Sequence, residues 1–114
     1  MKRILIIDDE ESVLFAVRTI LSDMGYEVET HSDPAEGEKE ALANEFDLIL
    51  VDLRMPQRNG AEITETVRTN KPHSKLLMIT GYPSDPLLRR ALDAGARGVV
   101  RKPFEIGKIL EYLQ

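Results

Sequence analysis

Four short apolar runs in this 114-residue chain each break off on a polar residue suited to phosphate chemistry. Ile4-Leu5-Ile6-Ile7 meets Asp8-Asp9, Leu48-Ile49-Leu50-Val51 meets Asp52, Leu76-Leu77-Met78-Ile79 meets Thr80, and Val99-Val100 meets Arg101-Lys102. Runs without polar alternation mark strands covered on both faces, as in a parallel sheet. Ligands of such sheets sit beyond the carboxyl ends of the strands. The pattern therefore gathers Asp8, Asp9, Asp52, Thr80 and Lys102 at one edge, where they could hold a divalent cation and a phosphoryl group.

Helical spacing fills the intervals. Val13, Leu14, Val17, Ile20, Leu21 and Met24 recur at steps of three and four, and Gly25 follows as a stop. Asp33-Pro34-Ala35-Glu36 supplies a cap, a proline at the first helical position and a Glu three residues after the cap, starting a helix that ends near Asn44. Ile63 and Val67, after Gly60, predict a short third helix. Asp85-Pro86 repeats the cap-plus-proline signal before Leu87, Leu88, Ala91 and Leu92, with Gly95 as the stop. Ile106, Ile109, Leu110 and Leu113 predict a last helix, weakened by about 1 kcal/mol at Gly107 relative to alanine. With a half-buried strand over residues 26–30, strand and helix alternate throughout. Such alternation predicts a parallel sheet with helices on both faces and right-handed crossovers. No linker, repeat or low-complexity segment interrupts it, and residues 1–114 are expected to form one domain.

Composition removes other chemistries. Without cysteine there is no thiol catalysis, thiolate metal site or disulfide framework, and a reducing cytoplasmic setting is the expectation. No apolar run approaches the roughly 20 residues of a membrane span, and Met1-Lys2-Arg3 with its four following apolar residues is neither a signal peptide nor an anchor. His31 and His73 have no metal-ligand spacing along the chain, and glycine-rich phosphate loops are missing. The net charge of -5 disfavours an electrostatic grip on nucleic acid. That charge is uneven: residues 1–52 carry 4 basic and 14 acidic side chains, the remainder 11 and 6. Either this is a chance asymmetry of solvated faces, or an acidic metal pocket accompanies a basic partner surface around Arg89, Arg90, Arg97 and Arg101.

Each site residue also has an ordinary structural use. Aspartates cap helices, so Asp8-Asp9 could simply begin one. With Glu10 and Glu11 beside them, however, a bound cation would relieve considerable repulsion. Asp52 could merely start a loop, yet a carboxylate after four buried apolar residues loses solvation unless something positive is near. The following Met55-Pro56 and Asn59-Gly60 shape a tight loop able to aim the carbonyl of Arg54 at a metal. Thr80 precedes Gly81, which leaves room for close approach. Lys102 is followed by Pro103, whose ring fixes the exit of the chain, and by Phe104, which can pack and so direct the ammonium inward.

The chain resembles the receiver domain of bacterial two-component response regulators over essentially its whole length. Asp8-Asp9, Asp52-x-x-Met55-Pro56-x-x-x-Gly60, Thr80-Gly81, Gly95-Ala96 and Lys102-Pro103-Phe104 carry the resemblance. It implies a flavodoxin-like α/β fold, a single doubly wound five-stranded parallel sheet in order 2-1-3-4-5 with five helices. It implies that Asp52 is the nucleophile and phosphorylation site, taking its phosphoryl group from a phosphohistidine of a sensor histidine kinase or histidine phosphotransfer protein. Asp9 and Asp52 would ligate Mg2+, Asp8 would act through the water shell, and Arg54 would lend its carbonyl. Thr80 and Lys102 would contact the transferred group. The domain would catalyse its own phosphorylation and dephosphorylation without being a conventional enzyme. Its face of helix 4, strand 5 and helix 5 would switch an output domain or target protein, and a phosphorylation-dependent homodimer is compatible with the family. One position departs from the pattern: Val99 stands where the family usually has an aromatic coupled to the threonine. Two other readings stay open, an interaction module that is never phosphorylated and a metal-dependent aspartyl phosphatase. The latter usually needs an acid where this chain has Arg54.

Overall fold

In the computed structural model, residues 1–102 and 104–114 are described, so the expectation for Pro103 lies outside them. Each apolar run becomes a strand, the first, second and third of them inner strands and Val99-Val100 an edge strand, and the elements alternate without exception: β1 (Arg3–Ile7), α1 (Glu11–Asp23), β2 (Glu27–His31), α2 (Pro34–Ala43), β3 (Leu48–Asp52), α3 (Gly60–Asn70), β4 (Leu76–Thr80), α4 (Pro86–Asp93), β5 (Gly98–Arg101) and α5 (Ile106–Glu111). All pairings are parallel, in the order β2-β1-β3-β4-β5. This is the doubly wound sheet that the alternation predicts.

Alternate residues of each strand feed separate cores because successive side chains point to opposite faces. Leu5, Ile7, Ile49, Val51, Leu76 and Met78 pack with Ala41, Ile63, Val67, Leu88 and Ala91 of α2, α3 and α4. Ile4, Ile6, Leu48, Leu50, Leu77 and Ile79 pack with Leu14, Val17 and Leu21 of α1 and Ile109 of α5. Strands β1, β3 and β4 are buried on both faces, every residue of β3 and β4 and all of β1 but Arg3 being buried, whereas β2 at the edge is only half-covered. Among the described residues no helix is long and apolar enough to cross a membrane.

The start and stop signals hold with four adjustments. Asp33 and Asp85 accept hydrogen bonds from Ala35 N–H and Leu87 N–H, each ahead of a proline, and Gly25 and Gly95 adopt the left-handed conformation of helix stops. Strand β2 runs one residue later than residues 26–30, because its register pairs Arg3 with Glu27 and Ile7 with His31. Helix α3 is 11 residues long rather than short. Buried Ala61 and Thr64 widen its inner stripe, the Thr64 hydroxyl donating to Gly60 C=O. Asn59, read above as a turn residue, also forms a reciprocal capping box with Glu62. Gly60 is required there, since a Cβ would stand 2.7 Å from the Asp52 carbonyl oxygen. Helix α5 ends at Glu111, and Leu113 is buried just beyond it.

Candidate functional site

Strand β1 delivers Asp8, and two backbone contacts fix it. Its N–H donates to His31 C=O at 3.2 Å, and its Oδ1 accepts from Glu10 N–H at 3.0 Å. The side chain is fully buried. Among the described residues its Oδ2 accepts no hydrogen bond, although Lys102 Nζ lies 3.2 Å away, near enough for Coulomb attraction but out of line for a bond. Asp52 ends β3, 5 % exposed, and accepts from Lys102 Nζ at 3.3 Å. Asp9 is exposed. One carboxylate oxygen from each of Asp8, Asp9 and Asp52 lies within 4.8 Å of the others.

These charges decide what the pocket can bind. Burial, and then the neighbouring Asp8, push the Asp52 carboxyl up to about 7 against the opposing pull of Lys102. Burial alone would lower Lys102; Glu10, Asp52 and Asp8 outweigh it and hold the ammonium above its ordinary range. One cation thus serves three carboxylates within 3.3 Å, with Asp9 close by. An all-oxygen donor set containing an unbonded buried carboxylate oxygen fits a hard divalent cation such as magnesium.

Neighbouring strands place the remaining groups. Asp52 pairs in register with Ile79, so Thr80 emerges beside it, and Lys102 N–H donates to Thr80 C=O at 2.9 Å. The Thr80 hydroxyl is turned into its own loop, where it accepts from Tyr82 N–H at 3.0 Å. Phe104 packs against the α1–α5 core, as expected for a residue steering Lys102 inward. The Arg54 side chain leaves the pocket and forks onto Asp85 with two 2.8 Å bonds. Around Gln57, at φ 71°, Arg58 N–H donates to Pro56 C=O at 2.8 Å, which makes the loop after Asp52 tight.

Two partners have no local signal in the sequence. Glu10 makes the shortest contact to Lys102, 2.8 Å across 92 positions, and Asp85 meets Arg54 across 31. The expected basic surface is reduced, because Arg89 pairs with Asp93 and Arg90 forks onto Glu65. His31, without metal-ligand spacing along the chain, lies 2.9 Å from Glu29, and with Glu40 forms a second compact trio outside the pocket.

Comparison with known proteins is consistent with this geometry. The family profile described as the response regulator receiver domain matches residues 4–114. Response regulator ArlR of Staphylococcus saprophyticus is 34% identical over 110 residues, covering 96% of this chain and 50% of that protein. The chain spans about half the length of several such curated relatives. A CheY-like receiver domain from Methanospirillum hungatei has a TM-score of 0.90 at 36% identity, covering 97% of this chain and 89% of that one. The response regulator TrrA of Thermotoga maritima, solved in complex with Mg2+-BeF, has a TM-score of 0.83 at 30% identity, covering 97% and 95%.

Proposed function

This chain belongs to the response regulator receiver domain family, and on that footing we propose that Asp52 is its phosphoacceptor. A carboxylate oxygen of Asp52 attacks phosphorus, and the bond from phosphorus to the donor's imidazole nitrogen breaks with its electron pair left on nitrogen. The donor is a sensor histidine kinase or a histidine phosphotransfer protein. The product is a mixed anhydride; its return to carboxylate and inorganic phosphate, by attack of water on phosphorus, ends the signal. The protein acts as a self-catalysed signalling acceptor rather than a conventional enzyme, in the cytoplasm.

The observation that carries the proposal is the meeting of the Asp8, Asp9 and Asp52 oxygens within 4.8 Å beside an ammonium 3.3 Å from Asp52. Phosphoryl transfer depends mainly on positioning and charge stabilisation, which these parts supply. Asp9, Asp52 and the carbonyl of Arg54 would hold magnesium, with Asp8 acting through its water shell. Bound there, magnesium would neutralise charge developing on the phosphoryl oxygens. TrrA, solved with Mg2+-BeF, supports this cation. Lys102 stabilises the same charge from the other side, and Thr80 donates its hydroxyl once it is released from Tyr82. Downstream, α4, β5 and α5 bias an output domain or separate target; this domain itself does not contact nucleic acid.

No acid stands two residues after Asp52, where Arg54 is engaged by Asp85, so an aspartyl phosphatase is disfavoured. A module without chemistry is disfavoured because each acidic-pocket residue is present. Acetyl phosphate with magnesium should add one phosphoryl group, seen by intact mass. Asp52→Asn, nearly isosteric, should abolish the addition and keep the fold. Full labelling of that variant would sink the assignment.

A further inference from the structure

Phosphoryl transfer as proposed leaves one carboxylate of the site without a task. Glu10 precedes α1 but makes no capping hydrogen bond with its side chain, which is 58% exposed. Its strong partner among the described residues is Lys102: Nζ to Oε1 is 2.8 Å, against 3.2 Å to Asp8 and 3.3 Å to Asp52. Among the described residues, Glu11 next door pairs with no cation.

Three anions therefore share one ammonium, two from inside the pocket and one from the rim. A divalent cation bound by the aspartates would take up their charge and weaken their hold on Lys102. Glu10, outside that set, would keep its own. The ammonium would then rest toward the rim, and an arriving phosphoryl group must recruit it from Glu10. The phosphoryl group is itself anionic, so the Glu10 carboxylate also repels it on the way in. One effect has the opposite sign, since Glu10 helps keep Lys102 near the pocket. That help is largely redundant: the Lys102 backbone is bonded to Thr80, its side chain is only 20% exposed, and its next residue but one, Phe104, packs on the core.

We infer that Glu10 is a positioning residue that parks the Lys102 ammonium at the rim and thereby restrains phosphoryl capture by Asp52. The inference rests on Asp52 being the phosphoacceptor. It assigns this chain a built-in brake on phosphorylation by small anionic donors, set by one exposed side chain and not by the acidic pocket.

Initial rates of labelling of the full chain by acetyl phosphate, at saturating magnesium and two ionic strengths, test it. Glu10→Gln should raise kcat/KM about two- to fivefold, the span expected of an exposed ion pair, mainly through a lower KM and less so at high salt. The thermal midpoint should change little because the pair is exposed, and a gain in rate is opposite in sign to what loss of a structural contact would give. Glu11→Gln makes the same change in net charge one residue away and should stay at the wild-type rate. A Glu10→Gln rate equal to or below wild type, with the wild type labelled at Asp52, overturns the inference alone, as does an equal gain in Glu11→Gln. A wild type that takes no phosphoryl group, or an Asp52→Asn variant that still takes one, overturns the phosphoacceptor reading and this inference with it.

Discussion

On the α2–α3–α4 side of the sheet, arginines fork onto carboxylates of other elements: Arg58 onto Glu38 of α2, Arg90 of α4 onto Glu65 of α3, and Arg54 onto the α4 cap Asp85. On the other side, among the described residues, no ion pair joins α1 to α5. There Val13, Ala16, Val17, Ile20, Phe104 and Ile106 line an open, mostly apolar groove of about 500 Å³. The contrast separates two jobs. Apolar burial supplies free energy without fixing orientation, while a planar two-point fork fixes orientation and, when exposed, adds little free energy. Helix α4 is thus held in a defined pose relative to the loop after Asp52, while the body of α5 is held by apolar burial, with polar bonds at its ends, from Lys75 Nζ to Tyr112 C=O and from Arg101 N–H to Glu105.

Denaturant unfolding of one variant from each side should expose that difference most strongly. Ile109 is fully buried, and α5 is only six residues long, so Ile109→Ala should cost roughly 2–5 kcal/mol. Asp85→Ala removes both the α4 cap and the Arg54 fork, yet should cost only about 1 kcal/mol, the usual worth of a cap. Its mark should appear instead as faster amide exchange in the first turn of α4. A loss at Asp85→Ala equal to that at Ile109→Ala would break the division.

What the sequence discloses divides differently, between features local to one element and features that join elements. Strand runs, helix stripes and the Asp33, Asp85, Gly25 and Gly95 signals are local, and the sheet follows from them because each depends on residues within a turn of one another. The polar strand ends were legible for the same reason: each sits next to the run that carries it. What joins elements was not. Arg54 to Asp85 and Lys102 to Glu10 depend on side-chain reach between segments 31 and 92 positions apart. The length of α3 was hidden by Thr64, a polar residue buried through a bond to its own helix. The Thr80 hydroxyl was readable as a group at the right place, but not as one already committed to Tyr82.

Asp52 lies where both sides meet, and its protonation gives a smaller, pH-dependent effect. Its folded value of about 7 is above the roughly 3.9 of an unfolded aspartate, so the native state binds this proton more tightly. Stability of the metal-free protein should therefore fall as pH rises from about 4 toward 7 and level off above, with a slope of at most about 1.4 kcal/mol per pH unit. Glu10, Glu65 and Asp85 are shifted downward by Lys102, Arg90 and Arg54 and act with the opposite sign at lower pH, leaving about pH 5 to 8 to Asp52. Asp52→Asn should flatten the slope there. Saturating magnesium should flatten it too, with apparent affinity declining below about pH 7 as protons compete. Parallel wild-type and Asp52→Asn profiles would contradict the raised value.

The smallest expected effect concerns how occupancy of Asp52 reaches α4. Val99 is half-buried against the α2–α3–α4 core, and its β-branched side chain is stiff at χ1, so it cannot swing between inward and outward positions as a ring can. Another route is already assembled. The Thr80 hydroxyl holds Tyr82 N–H, Asp85 N–H donates to Tyr82 C=O, and Asp85 in turn holds Arg54. If Thr80 leaves Tyr82 for the phosphoryl group, residues 80–85 must rearrange, and the fork carries that change into the α4 cap. Amide shifts on phosphorylation should then be larger over residues 80–90 than at Val99, with the outer face of α1 quiet. Asp85→Asn, which keeps an oxygen for the cap but loses the charge, should shrink the shifts beyond residue 85 and leave those at residues 80–83 in place. Largest changes at Val99 with residues 80–90 silent would place the readout elsewhere, and equal shifts on α1 and α4 would erase the distinction between the two sides.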